Sequence, residues 1–566
     1  MIKTFITAFA IMLSVSSLCC AQEMLTAGNK KYVVADIEDI KVIYTRPTIA
    51  DVLARQGNYS LFAEALEVTG LADTLSLINK YKRYSVSDNS AMASRFYYAP
   101  TECKVKFTLF AIDDDTFRAL GITDFAALKA KCAEWYGDAA WYDYPGKESM
   151  AISMGDDYTY TYNVVNMFVR YHILKAGMEY KKLVRTYDPE DETWNFAFGG
   201  EPYSYHETLL PHTLMKIWQP LYHNTGESTN IWINRYRKNN TLTDEAWSFG
   251  SEAMHPLVDE GALINSGKSD IYALNGYIHN VSKPLIYSDE VAHGVLNERM
   301  RVDCVDMLFE LANNGIGRTS AQEIGKMNIY NPGEGTMARL PLDYCDNLVA
   351  NSERTSLAYY AIGPWRAWGS DQIGGWGMSD VSLRLPPVPT GTYEIRIIYP
   401  PMAAGPLWQF YHGTSSDTTK MVTLGEPFDA KYPNTSLQED RQATGYLLKY
   451  EFGDYGVESD ATLRKNGYMR APASFSRGTY NYVKTPANSP DDLIATISNC
   501  CRYEEGYGTS MLRKILGTVY LEQGKEHWLR FKDLEEFNAQ RGFSFDFIEL
   551  VPVSVVNNPT YTEDWY

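Results

Sequence analysis

The chain has 566 residues, 45% of them hydrophobic and 22% charged, with a formal net charge of -18 at pH 7. That length is more than one core usually serves, and the hydrophobic share is that of a folded protein with material for sizeable cores. The acidic balance, with no run of Lys and Arg, argues against nucleic acid as a partner, because phosphate binding needs a concentrated basic surface.

Residues 1–21 read as an export signal: Lys3, then an apolar run from Phe5 to Val15, then Leu18-Cys19-Cys20-Ala21-Gln22. Two endings are open. Cutting after Ala21 would leave a periplasmic or secreted chain, whereas cutting before Cys19 or Cys20 would leave a lipidated cysteine and a lipoprotein at the outer membrane or cell surface. No later stretch is long and apolar enough to span a bilayer. Six further cysteines remain, Cys103, Cys132, Cys304, Cys345, Cys500 and Cys501. An exported compartment permits disulfides, but the sequence does not choose a pairing.

Further along, Asn58 to Glu67 reads as a helix stopped by Thr69-Gly70. Phe107 to Ala111 reads as a buried strand running into a helix with an acidic start at Asp113-Asp114-Asp115. Residues 123–160, rich in Tyr, Trp, Asp and Gly, read as an irregular insertion or lid. A second insertion over 183–260 is expected to hold strands at Thr213 to Trp218 and Asn230 to Tyr236. The Asn275-Gly276 pair between two β-prone runs predicts a tight hairpin. Its register would set Leu274 opposite Tyr277, Ala273 opposite Ile278, Tyr272 opposite His279 and Ile271 opposite Asn280, with both faces covered.

From His293 onward the strands repeat with turn signals between them. The clearest are Leu383-Arg384-Leu385 and Gly391 to Tyr399 around a Pro/Gly turn, then Ile515 to Tyr520, Trp528 to Phe531, and a last strand from Phe543 to Pro552. Such texture suggests an all-β sandwich.

Four segments occur in the order found in fasciclin-like domains. They are Asn58 to Leu75, Phe107 to Phe117, Val169-Arg170-Tyr171-His172-Ile173-Leu174, and Asp270 to Val281 with its Pro284-Leu285 exit. The run Phe545-Asp546-Phe547-Ile548-Glu549-Leu550-Val551-Pro552 and the strand from Gly391 resemble those of jelly-roll, carbohydrate-module-like domains. The chain therefore resembles a fasciclin-like domain protein with a C-terminal jelly-roll-like β-sandwich, of the kind found in the cell envelope of glycan-degrading Gram-negative bacteria. The resemblance implies an α+β N-terminal fasciclin-like domain with insertions over 36–290, then an all-β sandwich over 293–555. It also implies an adhesion role for Tyr171 and His172, residue types that otherwise read as rings packed and hydrogen-bonded inside the fold, and neighbours that take up glycans at the outer membrane.

For chemistry, no Gly-x-Ser-x-Gly elbow is present, and 70 acidic residues make carboxylate pairs inevitable without framing any as a glycosidase site. His206, His212 and His223 lack the spacing of a helical ligand pair, and Asp113 to Asp115 lack a calcium-loop pattern. No enzyme, cofactor or metal is expected. The aromatic supply is more suggestive: Trp365, Trp368 and Trp376 fall in a Gly-rich stretch read as a loop, and Trp408 and Tyr411 follow a second loop. Flat rings stack on the apolar faces of sugars, and the same tryptophans also suit the core of a sandwich. The expected function is non-catalytic binding or adhesion in the cell envelope, as an accessory in capturing an extracellular polysaccharide. The alternatives are a structural protein-protein subunit of an outer-membrane uptake complex and, less favoured, a glycan-active enzyme.

Overall fold

A computed structural model of the chain describes residues 24–27, 30–33, 47–83, 97–98, 102–137, 139–184, 203–218, 230–237, 257–259, 261–317, 337–361, 371–401, 405–434, 437–445, 457–470 and 511–558. Residues 1–47 form one unit, whose described part is the antiparallel pair Met24–Ala27 and Lys30–Val33. Residues 48–566 form a second compact unit.

The second unit opens with short helices whose caps are written in the sequence. Thr48 and Asp51 form a reciprocal capping box at the start of helix Ile49–Arg55. Helix Ser60–Val68 has no cap of its own, and Asp114 supplies one from 54 residues away by accepting from the Ser60 N–H at 3.1 Å and the Ser60 hydroxyl at 2.7 Å. The helix ends before Gly70, whose φ of 70° is the left-handed conformation that glycine tolerates. Asp113 caps the next helix, Asp114–Ala119, by accepting from Thr116, and also accepts from Lys268 at 2.7 Å. The acidic triplet is thus used as a helix start. Residues expected to be irregular hold a helix, Phe125–Tyr136, because Asp124 caps it and Leu128, Cys132 and Tyr136 give it a buried stripe.

Five sheets of four or five strands carry the described fold. The hairpin sheet runs Ile271–Ala273, Gly276–Asn280, Phe107–Ala111, Ile173–Leu174, and its central pair is parallel. A second four-stranded sheet runs Ala262–Ile264, Ile231–Ile233, Leu214–Trp218, Tyr203–Glu207, so both strands expected in the second insertion form. The arginine sheet runs Met300–Asp303, Phe547–Pro552, Gly391–Tyr399, Leu512–Leu521, Tyr468–Arg470. The tryptophan sheet runs Gly542–Phe545, Asp371–Gly377, Thr355–Ala361, Met337–Leu340, Tyr97–Tyr98. The tyrosine sheet runs Leu348–Ala350, Asp380–Arg384, Trp528–Asp533, Leu407–Gly413, Val422–Asp429.

This corrects the expected architecture. An α+β fasciclin-like domain followed by a two-sheet jelly-roll sandwich is replaced by a mostly β fold of five small sheets, the sheet count of a five-bladed β-propeller. Unlike consecutive-strand blades, these sheets collect strands from distant parts of the chain: Tyr97–Tyr98 joins Met337–Leu340 in parallel. The stretch 543–552, expected as one strand, is two, Gly542–Phe545 and Phe547–Pro552, which part at buried Asp546 and enter different sheets. A jelly-roll needs two facing sheets, and the region after 293 supplies three.

The hairpin forms with a shifted register. Ala273 pairs with Gly276, Tyr272 with Tyr277 and Ile271 with Ile278, so the turn is Leu274-Asn275. The shift is even, so the two faces keep their members. Asn275 leaves the turn position that was expected for it because its side chain is occupied elsewhere. Its Oδ1 accepts from the Ile49 N–H at 2.9 Å, and its Nδ2 donates to the carbonyls of Leu75 and Leu77, each at 2.7 Å. Gly276 passes directly under the neighbouring strand, where a Cβ would stand 1.8 Å from the Phe107 carbonyl oxygen. The expectation that both ribbon faces are covered is also corrected, since Tyr272 is 52% exposed.

The arginine sheet has one apolar face and one buried charged face. Glu549 sits fully buried between Arg301 at 2.6 Å, Arg513 at 3.0 Å and Arg396 at 3.1 Å. Burial alone would raise its pKa, and the surrounding cations, Arg513 and Arg301 foremost, hold it well below the usual carboxylate value. Arg396 also meets Glu394, which Arg464 reaches from helix Val457–Lys465. Removing Glu549 would strand buried cations, at a cost of about 3–5 kcal/mol.

Candidate functional site

The residues singled out in the sequence separate into distinct environments. Tyr171 and His172 lie in the core with no exposed surface. The Tyr171 hydroxyl donates to the Leu214 carbonyl at 3.0 Å and accepts from Asn234. His172 donates from Nδ1 to the Phe168 carbonyl at 2.8 Å and accepts at Nε2 from the Leu285 N–H at 3.1 Å, which defines a neutral tautomer. Burial brings its pKa down to about 3. Both rings tie the helix Val164–Tyr171 to its neighbours and offer no surface to an adhesion partner. His279 is buried in the same way, with its Nε2 on the Met178 carbonyl and its Nδ1 on the Asp270 N–H.

Trp408 is 1% exposed and packs against Phe410, Phe428 and Phe531, with its Nε1–H donating to Ser379 at 2.7 Å. It fills the core and is unavailable as a binding platform. Trp365, Trp368, Cys19 and Cys20 lie outside the described residues. Among the described residues no cluster of metal-ligating side chains occurs, and no helix is long and apolar enough to cross a membrane. His206 turns to the Leu183 carbonyl and His212 to the Gln523 carbonyl.

Trp376 and Tyr411 are both partly exposed but stand on different sheets. Trp376 was read into a Gly-rich loop, and it belongs to the strand Asp371–Gly377. The glycines there serve contact. A Cβ on Gly375 would meet the Ser356 carbonyl oxygen at 1.7 Å, and one on Gly374 would meet the Phe543 carbonyl oxygen at 2.7 Å and Tyr360 Cε2 at 3.0 Å.

Strand alternation puts Trp376, Gly374 and Gln372 on one face, beside Ser356, Ala358 and Tyr360 of the next strand. The middle row is small across three strands, Ser544, Gly374 and Ala358, and ends in Arg339. Over that floor lie the rings of Tyr360 and Trp376, 5.9 Å apart and tilted by 58°. Arg339 reaches the tryptophan row through Ser356, donating from Nη2 to its hydroxyl at 2.8 Å. Burial holds the pKa of the Tyr360 phenol above its ordinary value, and the charge of Arg339 pulls it partway back. The phenol is therefore a neutral hydroxyl at physiological pH. The face offers two flat rings, a guanidinium, a carboxamide and hydroxyls, all on paired strands. Its described residues include no paired carboxylates and no nucleophile beside a base, and what they offer is stacking and hydrogen bonding. Tyr360, Gln372 and Arg339 were missed in the sequence. The alternation of Thr355–Ala361 is the signal that could place Tyr360, while Arg339 and Gln372 reach the face through the pairing of Met337–Leu340 and Asp371–Gly377 with that strand.

Around Tyr411 the geometry is closed. Its ring covers Arg530 at 5.3 Å, and that guanidinium makes two 2.7 Å bonds to Asp380. Asn351 completes the carboxylate and also donates to Ser382. Hydrogen bonding to Asp380 raises the pKa of Arg530 further. A guanidinium engaged by both an acid and a ring is a fixed strut.

A cleft of about 40 Å³ is lined by Lys175, Glu207, Asn347 and Arg384 among others. It has room for two or three waters and not for a sugar ring. Glu207 is clasped by Lys175 at 2.9 Å and by Arg384. Burial opposes its ionisation, but the two cations prevail and bring its pKa to about 2. A carboxylate held ionised in this way is unsuited to proton transfer near neutral pH.

No protein-family model matches the chain, and none of the curated proteins matches it.

Proposed function

We propose that this protein is a non-catalytic binding protein of the cell envelope that holds an extracellular glycan on the face built from Trp376, Tyr360, Gln372 and Arg339. The observation that carries the reading is the pair of partly exposed rings lying over a floor of Gly374 and Ala358, with polar groups at both ends. Such a platform is fixed by strand pairing on both sides, so little side-chain freedom is lost when a sugar ring stacks on it. The clasped state of Glu207 and the strut at Arg530 support binding over turnover, because neither offers a group poised to exchange protons.

Calorimetry or affinity electrophoresis of the full chain against a panel of polysaccharides tests the reading. Trp376→Ala and Tyr360→Ala should each weaken binding tenfold or more, the effect of about 1–3 kcal/mol that removing a stacked ring has on other flat ligands. A second reading, an interaction subunit among envelope proteins, is favoured by one observation. Tyr272 projects half exposed from the edge strand Ile271–Ala273, against Tyr277 at 5.6 Å. A protein that binds no glycan in the panel, and that loses a partner on Tyr272→Ala, would favour that reading.

A further inference from the structure

We propose that the connection from Glu522 to His527 is an acid-released clasp: protonation of the His412–His527 pair frees the Glu522 end of the turn and, with it, the Gln523 side chain that pins the turn to the preceding part of the unit.

The connection joins Leu512–Leu521 of the arginine sheet to Trp528–Asp533 of the tyrosine sheet, so a change in it acts on both. Gln523 is its anchor, 2% exposed. The carboxamide donates to the His212 carbonyl at 2.8 Å and to the Tyr287 hydroxyl at 2.6 Å. Its backbone N–H donates to the Thr390 hydroxyl at 3.1 Å, which in turn donates to Asp143 at 2.7 Å, and its carbonyl accepts from His212 Nδ1. Gly524 passes so close to the same segment that a Cβ would stand 3.0 Å from the Tyr144 carbonyl oxygen. Every one of these bonds depends on where the backbone of Glu522 is held.

The histidine pair holds it. His412 Nε2 and His527 Nδ1 are 3.0 Å apart, the ring planes are 16° from parallel and the centroids are 5.2 Å apart, so the two nitrogens meet head on in one N–H···N bond. The Glu522 N–H donates to His527 Nε2 at 2.8 Å. That nitrogen is therefore an acceptor, the His527 proton sits on Nδ1 and is donated to His412, and the His412 proton sits on its own Nδ1. An added proton has no place in this arrangement. On His412 Nε2 it would oppose the N–H of His527. On His527 Nε2 it would displace the Glu522 N–H and turn that nitrogen to the Glu522 carbonyl, 3.1 Å away. Each route breaks a bond that fixes the turn. His212 differs, because its Nδ1–H keeps the Gln523 carbonyl when Nε2 takes a proton, so it is a bystander to the release.

The charged groups around the pair do not reverse this. Glu522 favours a charged His527, whereas Lys525 and His212 oppose it, and Lys525 is itself paired with Glu522 at 2.6 Å. Beyond them, Glu207 and Glu526 favour a charged His212 and Arg384 opposes it. Burial, with the facing imidazole, brings His412 down from 6.5 to about 4, and burial also lowers His527. Folded values below the unfolded one mean that the clasp is whole above 6.5 and weakens as pH falls toward 4.

Hydrogen–deuterium exchange of the full chain, read by mass spectrometry between pH 7 and 4.5 and corrected for intrinsic exchange, tests this. Protection of peptides covering 522–527 should fall at least tenfold over that range, while the strand Gly391–Tyr399 keeps its protection. Labelled-imidazole NMR should show His412 and His527 taking up a proton over the same span. His412→Gln combined with His527→Gln should make the turn's protection independent of pH, and His212→Gln should leave the midpoint of the loss in place. Protection of 522–527 that holds down to pH 4.5 overturns the proposal, as does a loss with the same midpoint in the double variant, or one that His212→Gln abolishes. If the double variant is already open at pH 7, the wild-type titration decides: imidazole midpoints that match the loss of protection support the clasp, and midpoints more than about one pH unit away from it, a tenfold difference in proton affinity, overturn it.

Discussion

Replacing Glu207 by glutamine removes the anion from between Lys175 and Arg384, and the size of the effect can be worked from the clasp itself. The pKa of Glu207 falls from a usual 4.5 to about 2, and each unit is worth about 1.4 kcal/mol, so the charge state contributes about 3 kcal/mol to folding. The partial exposure of Lys175, 34% of its side chain, trims this to about 2–3 kcal/mol. Because the folded value lies below the unfolded one, the contribution is whole above about pH 4.5 and is lost as pH falls through 2. By pH 3 about three-fifths of it should be gone. Urea unfolding followed by tryptophan fluorescence at pH 7, 5 and 3 measures this. Glu207→Gln should be less stable by about 2–3 kcal/mol at pH 7, with the gap narrowing toward pH 3. Equal midpoints at pH 7, or a gap that stays constant down to pH 3, would refute the electrostatic account of the clasp.

His172, buried neutral with its proton on Nδ1 and its pKa brought down to about 3, should remain neutral in the folded protein at pH 4. Its share of stability is full above 6.5 and drains as pH falls toward 3. Labelled-imidazole NMR checks this, and a ring titrating near 6.5 would contradict it. Gly276→Ala drives a methyl to 1.8 Å from the Phe107 carbonyl oxygen at a φ of 143°, so it should cost more than about 4 kcal/mol and abolish soluble expression. A variant with a wild-type melting curve would contradict the close strand approach. We further propose attachment to the outer membrane through Cys19 or Cys20. Mass spectrometry of the native N-terminus should find a lipidated cysteine, and an unmodified chain beginning at Gln22 would rule it out.

The local grammar of the chain is legible in its sequence. Asp113 starts a helix, Gly70 follows the end of one, and the alternating runs form strands close to where they are expected, whereas the helix capped by Asp124 stands in a stretch that reads as irregular. What local pattern does not encode is which sheet a strand enters. Four short segments suffice to resemble a fasciclin-like domain, but the number and membership of sheets depend on long-range pairings such as Tyr97–Tyr98 with Met337–Leu340. The hairpin register was missed because Asn275 is held by Ile49, Leu75 and Leu77, contacts of high sequence separation. At the candidate site, composition pointed to Trp376 but took its glycines for a loop. Gly374 and Gly375 are strand residues, and what calls for glycine there is the close approach of Tyr360, Phe543 and Ser356. Trp408 carried the same aromatic signal and lies in the core, because composition does not distinguish a ring that packs from a ring that binds.

The central claim is that the partly exposed ring of Trp376 is a glycan platform. Titrating the full-length protein and its folded Trp376→Ala variant with the best-binding polysaccharide of a broad panel tests it most directly. The account predicts saturable binding that Trp376→Ala weakens at least tenfold; unchanged affinity in the variant would contradict it.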